Sequence, residues 1–243
     1  MRRFAWLMLS MGLTVSAVGC GDSSSNGSGG SSGSGGSAGT GGGNATATVS
    51  GTVYRASLEG ESTTLEGATV SVVGGESTTS DANGAFTLEA PVGITMFLTT
   101  APDSWGELQT GDVPPGGAAG AEVEVVPDAL IAAVAEALSE TIDPARGIVA
   151  VEFDQEEAAG GESADLGVDY GFTLVFDAAG DPQLGNELVA GADPIIIFAN
   201  VEITSDVMPS ASRSGVGDCT ISYEGTSYPS QAKVFTVVEA SCP

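Results

Sequence analysis

No histidine occurs among the 243 residues. The absence removes the commonest general base, the commonest transition-metal ligand and the usual partner of a nucleophilic serine or cysteine, and so argues against catalysis. Basic residues are nearly as scarce: 6 lysines and arginines face 32 aspartates and glutamates, for a formal charge of −26. A field of that sign repels nucleic acid and anionic headgroups and keeps a chain soluble and monomeric, so no nucleic-acid partner is expected. Cysteines number three, and aromatics make up 6% of the chain. Beyond Cys20 no segment approaches the run of about 20 apolar residues that a membrane-spanning helix needs.

What is present begins with Arg2 and Arg3 ahead of an apolar stretch from Phe4 to Val18, the layout of an export signal that is too short to span comfortably. In Ala17-Val18-Gly19-Cys20 small residues bracket a cleavage point, and Cys20 offers a thiol for thioether lipidation. This segment resembles the lipobox of bacterial lipoproteins, with Ala17 where leucine is usual. The alternative is an ordinary secretory signal in which Cys20 is incidental. The resemblance implies that residues 1–19 are removed and that acyl chains on Cys20 hold the protein in the bacterial cell envelope, at the outer membrane, since two or more chains anchor firmly. Residues 20–47 then form a tether. Gly21 to Gly43 is almost entirely Gly and Ser, cannot bury apolar surface, and has an expected reach of about 25 to 30 Å. With Cys20 assigned to lipid, Cys219 and Cys242 make an even pair, expected to form a disulfide in an exported protein; two buried free thiols are the alternative.

Past the tether, apolar and polar residues alternate with the period of a half-buried strand around Val49 to Tyr54, Ala68 to Val73, Phe86 to Glu89, Ile94 to Thr99 and Ala121 to Val126. Short strands at this spacing, punctuated by Gly and Pro, predict an antiparallel sandwich over residues 48–126. Asp81-Ala-Asn-Gly84 suits a tight hairpin between two of them. The order of Gly51-Thr-Val, Leu65-Glu-Gly-Ala-Thr-Val70 and Thr78-Thr-Ser-Asp-Ala-Asn-Gly-Ala-Phe86 resembles the carboxypeptidase regulatory-like domain, a prealbumin-type β-sandwich. That resemblance covers about residues 48 to 100 and implies a non-catalytic module. Pro114, Pro115, Gly116 and Gly117 predict a long loop from Thr100 to Gly120, a natural place for binding.

Leu130, Val134 and Leu138, widened by Ile131, Ala135 and Ile142, predict a connecting amphipathic helix over residues 127–143, opened by Pro127 and stopped by Asp143-Pro144. It carries no Lys or Arg, which disfavours a membrane-surface role. Strand patterns resume at Gly147 to Phe153, Phe172 to Phe176, Ile195 to Val201, Thr220 to Tyr223 and Lys233 to Val238, predicting a second sandwich-like domain over residues 144–243. Its nearest counterpart to the Asp81 turn is Asp177-Ala-Ala-Gly180.

Few residues offer chemistry. Glu152, Asp154, Glu156, Glu157, Glu162, Asp165 and Asp169 crowd one stretch and could hold Ca²⁺, but their spacing fits no EF-hand, and a solvated acidic loop is the favoured reading. Asp81 to Gly84 lacks further acidic ligands and reads as a turn. Two carboxylates could hydrolyse a glycoside without histidine, yet nothing marks which two among so many. Ser163, Ser205 and Ser210 sit in no nucleophile elbow. Trp105, Tyr170, Tyr223 and Tyr228 could form a carbohydrate platform, with core aromatics as the favoured account. No cofactor, metal or catalytic residue is expected. The sequence therefore predicts a mostly β, lipid-anchored, non-catalytic envelope protein with a structural or adhesive role toward a polysaccharide or protein; an accessory subunit that positions a separate exported hydrolase is the alternative.

Overall fold

The computed structural model describes residues 45–57, 62–223 and 226–243. Cys20, the expected export signal and all but the last three residues of the expected tether lie outside them.

The protein is mostly β. In chain order the strands are β1 (Thr46–Arg55), β2 (Thr63–Thr64), β3 (Thr69–Val72), β4 (Ser77–Thr79), β5 (Ala85–Pro91), β6 (Gly93–Thr100), β7 (Ser104–Val113) and β8 (Ala118–Pro127). After helix α1 (Asp128–Leu138) come β9 (Gly147–Phe153), β10 (Glu162–Asp165), β11 (Phe172–Phe176), β12 (Pro182–Leu184) and β13 (Ile195–Val201). The chain continues with β14 (Thr204–Val207), β15 (Ser210–Arg213), β16 (Gly217–Asp218), β17 (Thr220–Ile221), β18 (Tyr228–Ser230) and β19 (Val234–Ser241). Every alternating run read from the sequence forms a strand. The long loop expected from Thr100 to Gly120 does not exist: β7 and β8 occupy it, and a turn closed by Gly117 N–H to Pro114 C=O replaces it.

One spine, ordered β12-β11-β13-β9-β19-β7-β6-β3-β4, runs through both halves of the chain. C-terminal β19 inserts between β9 and β7, so strands from either side of the expected 127–143 connection share this sheet. Most pairings are antiparallel as expected. Three are parallel: β1 with β8, β19 with β7, and β19 with β9.

Residues in register share a face. Val72, Phe97 and Gln109 lie in register across β3, β6 and β7, and Glu107, Phe235, Ile148 and Ala199 across β7, β19, β9 and β13. This front face is covered twice. Over the N-terminal strands lies the layer β5-β1-β8, closing a core of Val49, Val53, Val70, Phe86, Leu88 and Val123. Over the C-terminal strands lies α1, which buries Leu130 and Ile131 against Ile148, Leu174, Phe176, Ile197 and Phe235. The back face carries the third core, Val149, Val151, Ile196, Phe198 and Val238, packed with Leu166, Leu188 and Tyr228. The apolar run Ile195 to Phe198 is thus covered on both faces.

The helix ends earlier than Pro144 demands. Ser139 turns left-handed at φ 56°, its N–H reaches Glu136 C=O, and Glu140 N–H reaches Ala135 C=O, a Schellman arrangement with serine in the usual glycine place. Asn200, at a bulge in β13, clamps the segment that follows by donating to Thr141 C=O and accepting from Asp143 N–H.

The Asp81 turn forms but joins no hairpin. β4 pairs with β3 and β5 with β1, so it is a corner between layers. Asp81 Oδ1 accepts from Asn83 and Ala85 N–H, and Gly84 takes φ 76° where a Cβ would meet Val53 O at 2.6 Å. Asp177 to Gly180 repeats the same hydrogen bonds between β11 and β12, there as a true hairpin.

Cys219 and Cys242 form the expected disulfide, with sequence separation 23. Removing it with paired serines should lower stability by about 3 kcal/mol in the chain-entropy account. Urea midpoints of the oxidised protein and the double variant measure this, and coincident midpoints contradict it.

Candidate functional site: a polar cleft and an acidic seam

On the back face the small sheet β10-β15-β16 stands beside β17 and β18 and leaves an open cleft of about 700 Å³. Its strands are Ser- and Ala-rich, so each presents small polar groups where a larger side chain would close the space. Ser163 and Ser212, in register across β10 and β15, share a 3.2 Å hydrogen bond; Asn186, Ser210 and Thr220 add amide and hydroxyl groups. Met208, 64% exposed, stands at the lip, and Tyr228 lines the cleft with its hydroxyl donated to Ser222 C=O. Burial, with Tyr223 and Glu239 nearby, pushes the Tyr228 phenol up to about 12, which keeps it a proton donor. The cleft can exchange hydrogen bonds with a hydroxyl-rich ligand.

The acidic stretch divides on folding. Asp154, Glu156, Glu157, Asp165 and Asp169 are exposed, as a solvated loop requires. Glu162 is the correction. It is fully buried, accepts from Gln155 Nε2 and from the N–H groups of Ala159 and Gly160, and forms a 3.1 Å ion pair with Arg213. Burial raises its carboxyl, but the hydrogen bonds from Gln155 and the backbone outweigh this and hold it below the usual carboxylate range. Among the described residues no group of three or more Cys, Asp or Glu side chains could hold a metal ion.

A second set of acids takes Glu152 out of that stretch, into β9, and joins it to three glutamates that went unmarked in the sequence. On the front face, between the sheet-covered and helix-covered cores, Glu107 of β7, Glu124 of β8, Glu152 of β9 and Glu239 of β19 form a seam. Glu152 and Glu239 are register partners. β7 pairs with β8 only at Ser104 and Trp105, and where the strands part Glu107 Oε2 accepts the Glu124 N–H at 2.8 Å, filling a ladder bond that separation would orphan. Burial pushes Glu107 up to about 8, with Glu152 and Glu124 adding to it against the opposing Glu124 N–H; burial, Glu239 and Glu124 push Glu152 up to about 7. Glu124 and Glu239 are raised chiefly by burial too. Neither Glu107 nor Glu152 lines the cleft.

The aromatic platform is not assembled. Trp105 packs edge-on against Phe235 in the front core, whereas Tyr228 lies in the back core, and Tyr170 leans on Phe198. Only Tyr223 and Tyr228 of that set line the cleft. Ser163 and Ser210 line it as well, with no histidine in the chain to activate them.

No protein-family model and no curated protein matches the chain. Among solved structures it is similar to the Bacillus anthracis TIE protein at 10% identity and TM-score 0.26, over 82% of this chain and 35% of that one. It is similar to a Streptococcal ancillary pilin at 14% identity and TM-score 0.23, over 82% of this chain and 63% of that one. It is also similar to GBS52, the minor pilin of Streptococcus agalactiae, at 11% identity and TM-score 0.21, over 82% and 96%. Likeness of this degree assigns no family. Among the described residues no helix is long and apolar enough to cross a membrane.

Proposed function

We propose that this chain is a lipid-anchored, non-catalytic module of the bacterial cell envelope, monomeric and held at the outer membrane through Cys20, which makes a structural or adhesive contact with envelope polysaccharide. The observation that carries the contact is the 700 Å³ cleft lined by serine, threonine and asparagine groups and by Asp165 and Asp218, with no basic residue on its walls. Such a lining suits a neutral sugar, whose hydroxyls both donate and accept, better than an anionic polymer, which the charge of −26 repels. The anchor is supported by Arg2, Arg3, the apolar run and the small residues before Cys20. The non-catalytic reading is supported by the missing histidine and by the burial of Glu107 and Glu152 away from the cleft.

Titration of the mature chain with purified envelope polysaccharide tests the contact. Ser212→Tyr, which fills the cleft, is expected to weaken binding at least tenfold. Equal binding by parent and variant removes the cleft from the proposal, and co-purification with a single exported hydrolase moves the function to the accessory role. Mass spectrometry of the mature N-terminus reads the acyl groups independently.

A further inference from the structure

One wall of the cleft is a crossing segment. From Gly217 to Ile221 the chain leaves the small sheet and joins the spine: β16 pairs with β15 at Ser212 and Arg213, and β17 pairs with β19 at Ser241 and Ala240. Each ladder is two residues long, short of what holds a strand in place unaided. Asp218, Cys219, Thr220 and Ile221 all line the cleft. Asp218 is in register with Ser212 and Ser163, so the crossing segment completes the polar row that the small sheet presents.

Cys219 stands between the two ladders and is bonded to Cys242, the first residue past the end of β19. Two weaker contacts run beside the bridge, from Cys219 N–H to Ala211 C=O at 2.9 Å and from Arg213 Nη1 to Pro243 C=O at 3.2 Å. Both cysteines are half-buried at the edge of the back core, and Cys219 lines the cleft itself. The bridge therefore ties the small sheet to the spine at the point where the noncovalent pairing is thinnest. The opposite wall does not depend on it, because β10 and β15 are joined over four register pairs, Glu162 to Asp165 with Arg213 to Ser210.

We propose that the Cys219–Cys242 bridge is a redox latch on the cleft: closed, it fixes the wall from Asp218 to Ile221 and the cleft binds polysaccharide; opened by an external dithiol, it frees that wall and binding is lost. The proposal rests on the polysaccharide reading of the cleft. In the opening step one thiolate of the dithiol attacks one sulfur of the bridge, the S–S bond breaks, and the other cysteine leaves as a thiolate that takes a proton. The second thiolate of the dithiol then displaces the mixed disulfide. The protein has gained two electrons and two protons, and the dithiol ends as a disulfide. Linkage fixes the reverse effect, since a ligand that binds the oxidised form more tightly makes the bridge harder to reduce by the same factor.

The test titrates purified envelope polysaccharide into the full mature chain, oxidised and then reduced with dithiothreitol. The reduced protein is expected to bind at least tenfold more weakly and to regain its affinity on reoxidation. In dithiothreitol redox buffers, saturating polysaccharide should lower the reduction midpoint by about 30 mV for each tenfold difference in affinity. Backbone order parameters read the wall without any ligand: from Asp218 to Ser222 they should fall from about 0.85 to below about 0.6 on reduction, while those of β9 stay high. Unchanged order parameters overturn the latch whether or not polysaccharide binds, and equal affinity of the two forms overturns it as well. A reduced chain that loses its β-sheet circular dichroism also does so, because the bridge then holds the fold and not the wall. Failure of the oxidised protein to bind, with the wall still freed on reduction, removes the polysaccharide reading alone and supports the release of the wall.

Discussion

Glu162→Ala is expected to be among the most destabilising single substitutions in the chain, at about 3 to 5 kcal/mol. The carboxylate is fully buried and is the partner of Gln155, of two backbone N–H groups and of Arg213, which donates through Nε at 3.1 Å. Deleting it orphans all of them at once and leaves a largely buried guanidinium without a counter-charge. Glu162→Gln keeps the shape and some of the hydrogen bonds and should recover part of the loss. Chemical denaturation of the three proteins measures the series; a loss under about 1 kcal/mol for alanine means that water or rearrangement replaces the carboxylate. The lowered pKa gives this group a definite pH signature. Its stabilisation is present above the unfolded carboxylate pKa and is lost as pH falls through the lower folded value.

The acidic seam carries the opposite sign and the larger pH effect. Glu107 and Glu152 are raised from 4.5 to about 8 and about 7, so between the unfolded and folded values the native state binds more protons than the unfolded chain. Stability falls with rising pH across that window and levels off above it. Each unit of difference is about 1.4 kcal/mol, so the two acids together shift stability by several kcal/mol between about pH 5 and pH 8. Thermal melts at constant ionic strength should therefore show a higher midpoint near pH 5 than near pH 8. Glu107→Gln combined with Glu152→Gln should flatten the profile and raise the midpoint at pH 8. A profile that rises from pH 5 to 8 in the parent contradicts the buried placement of these side chains.

The elements read correctly from the sequence are those whose facing residues alternate in hydrophobicity, such as Val49 to Tyr54 and Ile94 to Thr99. β7 escaped because its front-face positions hold Glu107, Gln109 and Gly111, which blur the period, and because Pro114 to Gly117 looks like part of a longer loop when only its own four residues turn. The parallel pairings of β1 with β8 and of β19 with β7 could not be read, since pairing partners leave no mark in local composition. The cysteine pair was legible from counting alone. Glu162 was not: its burial depends on Arg213, 51 residues further on, and nothing near it distinguishes it from Glu156 or Glu157. The cleft was hidden for a related reason, because short strands of serine and alanine give no amphipathic signal. The seam follows from strands parting, a property of the assembled layers.

β1 lies between β5 and β8 along nearly its whole length, bonded on both flanks from Val49 to Thr52. Tension applied to the chain ahead of Thr46 therefore runs along the strand axis and loads those hydrogen bonds together, as in a lap joint, and does not peel them open one at a time. Beyond that joint the stress passes through Trp105 and Val126 into β7 and then β19. A pull at one end of the molecule is borne by the strand that closes the other.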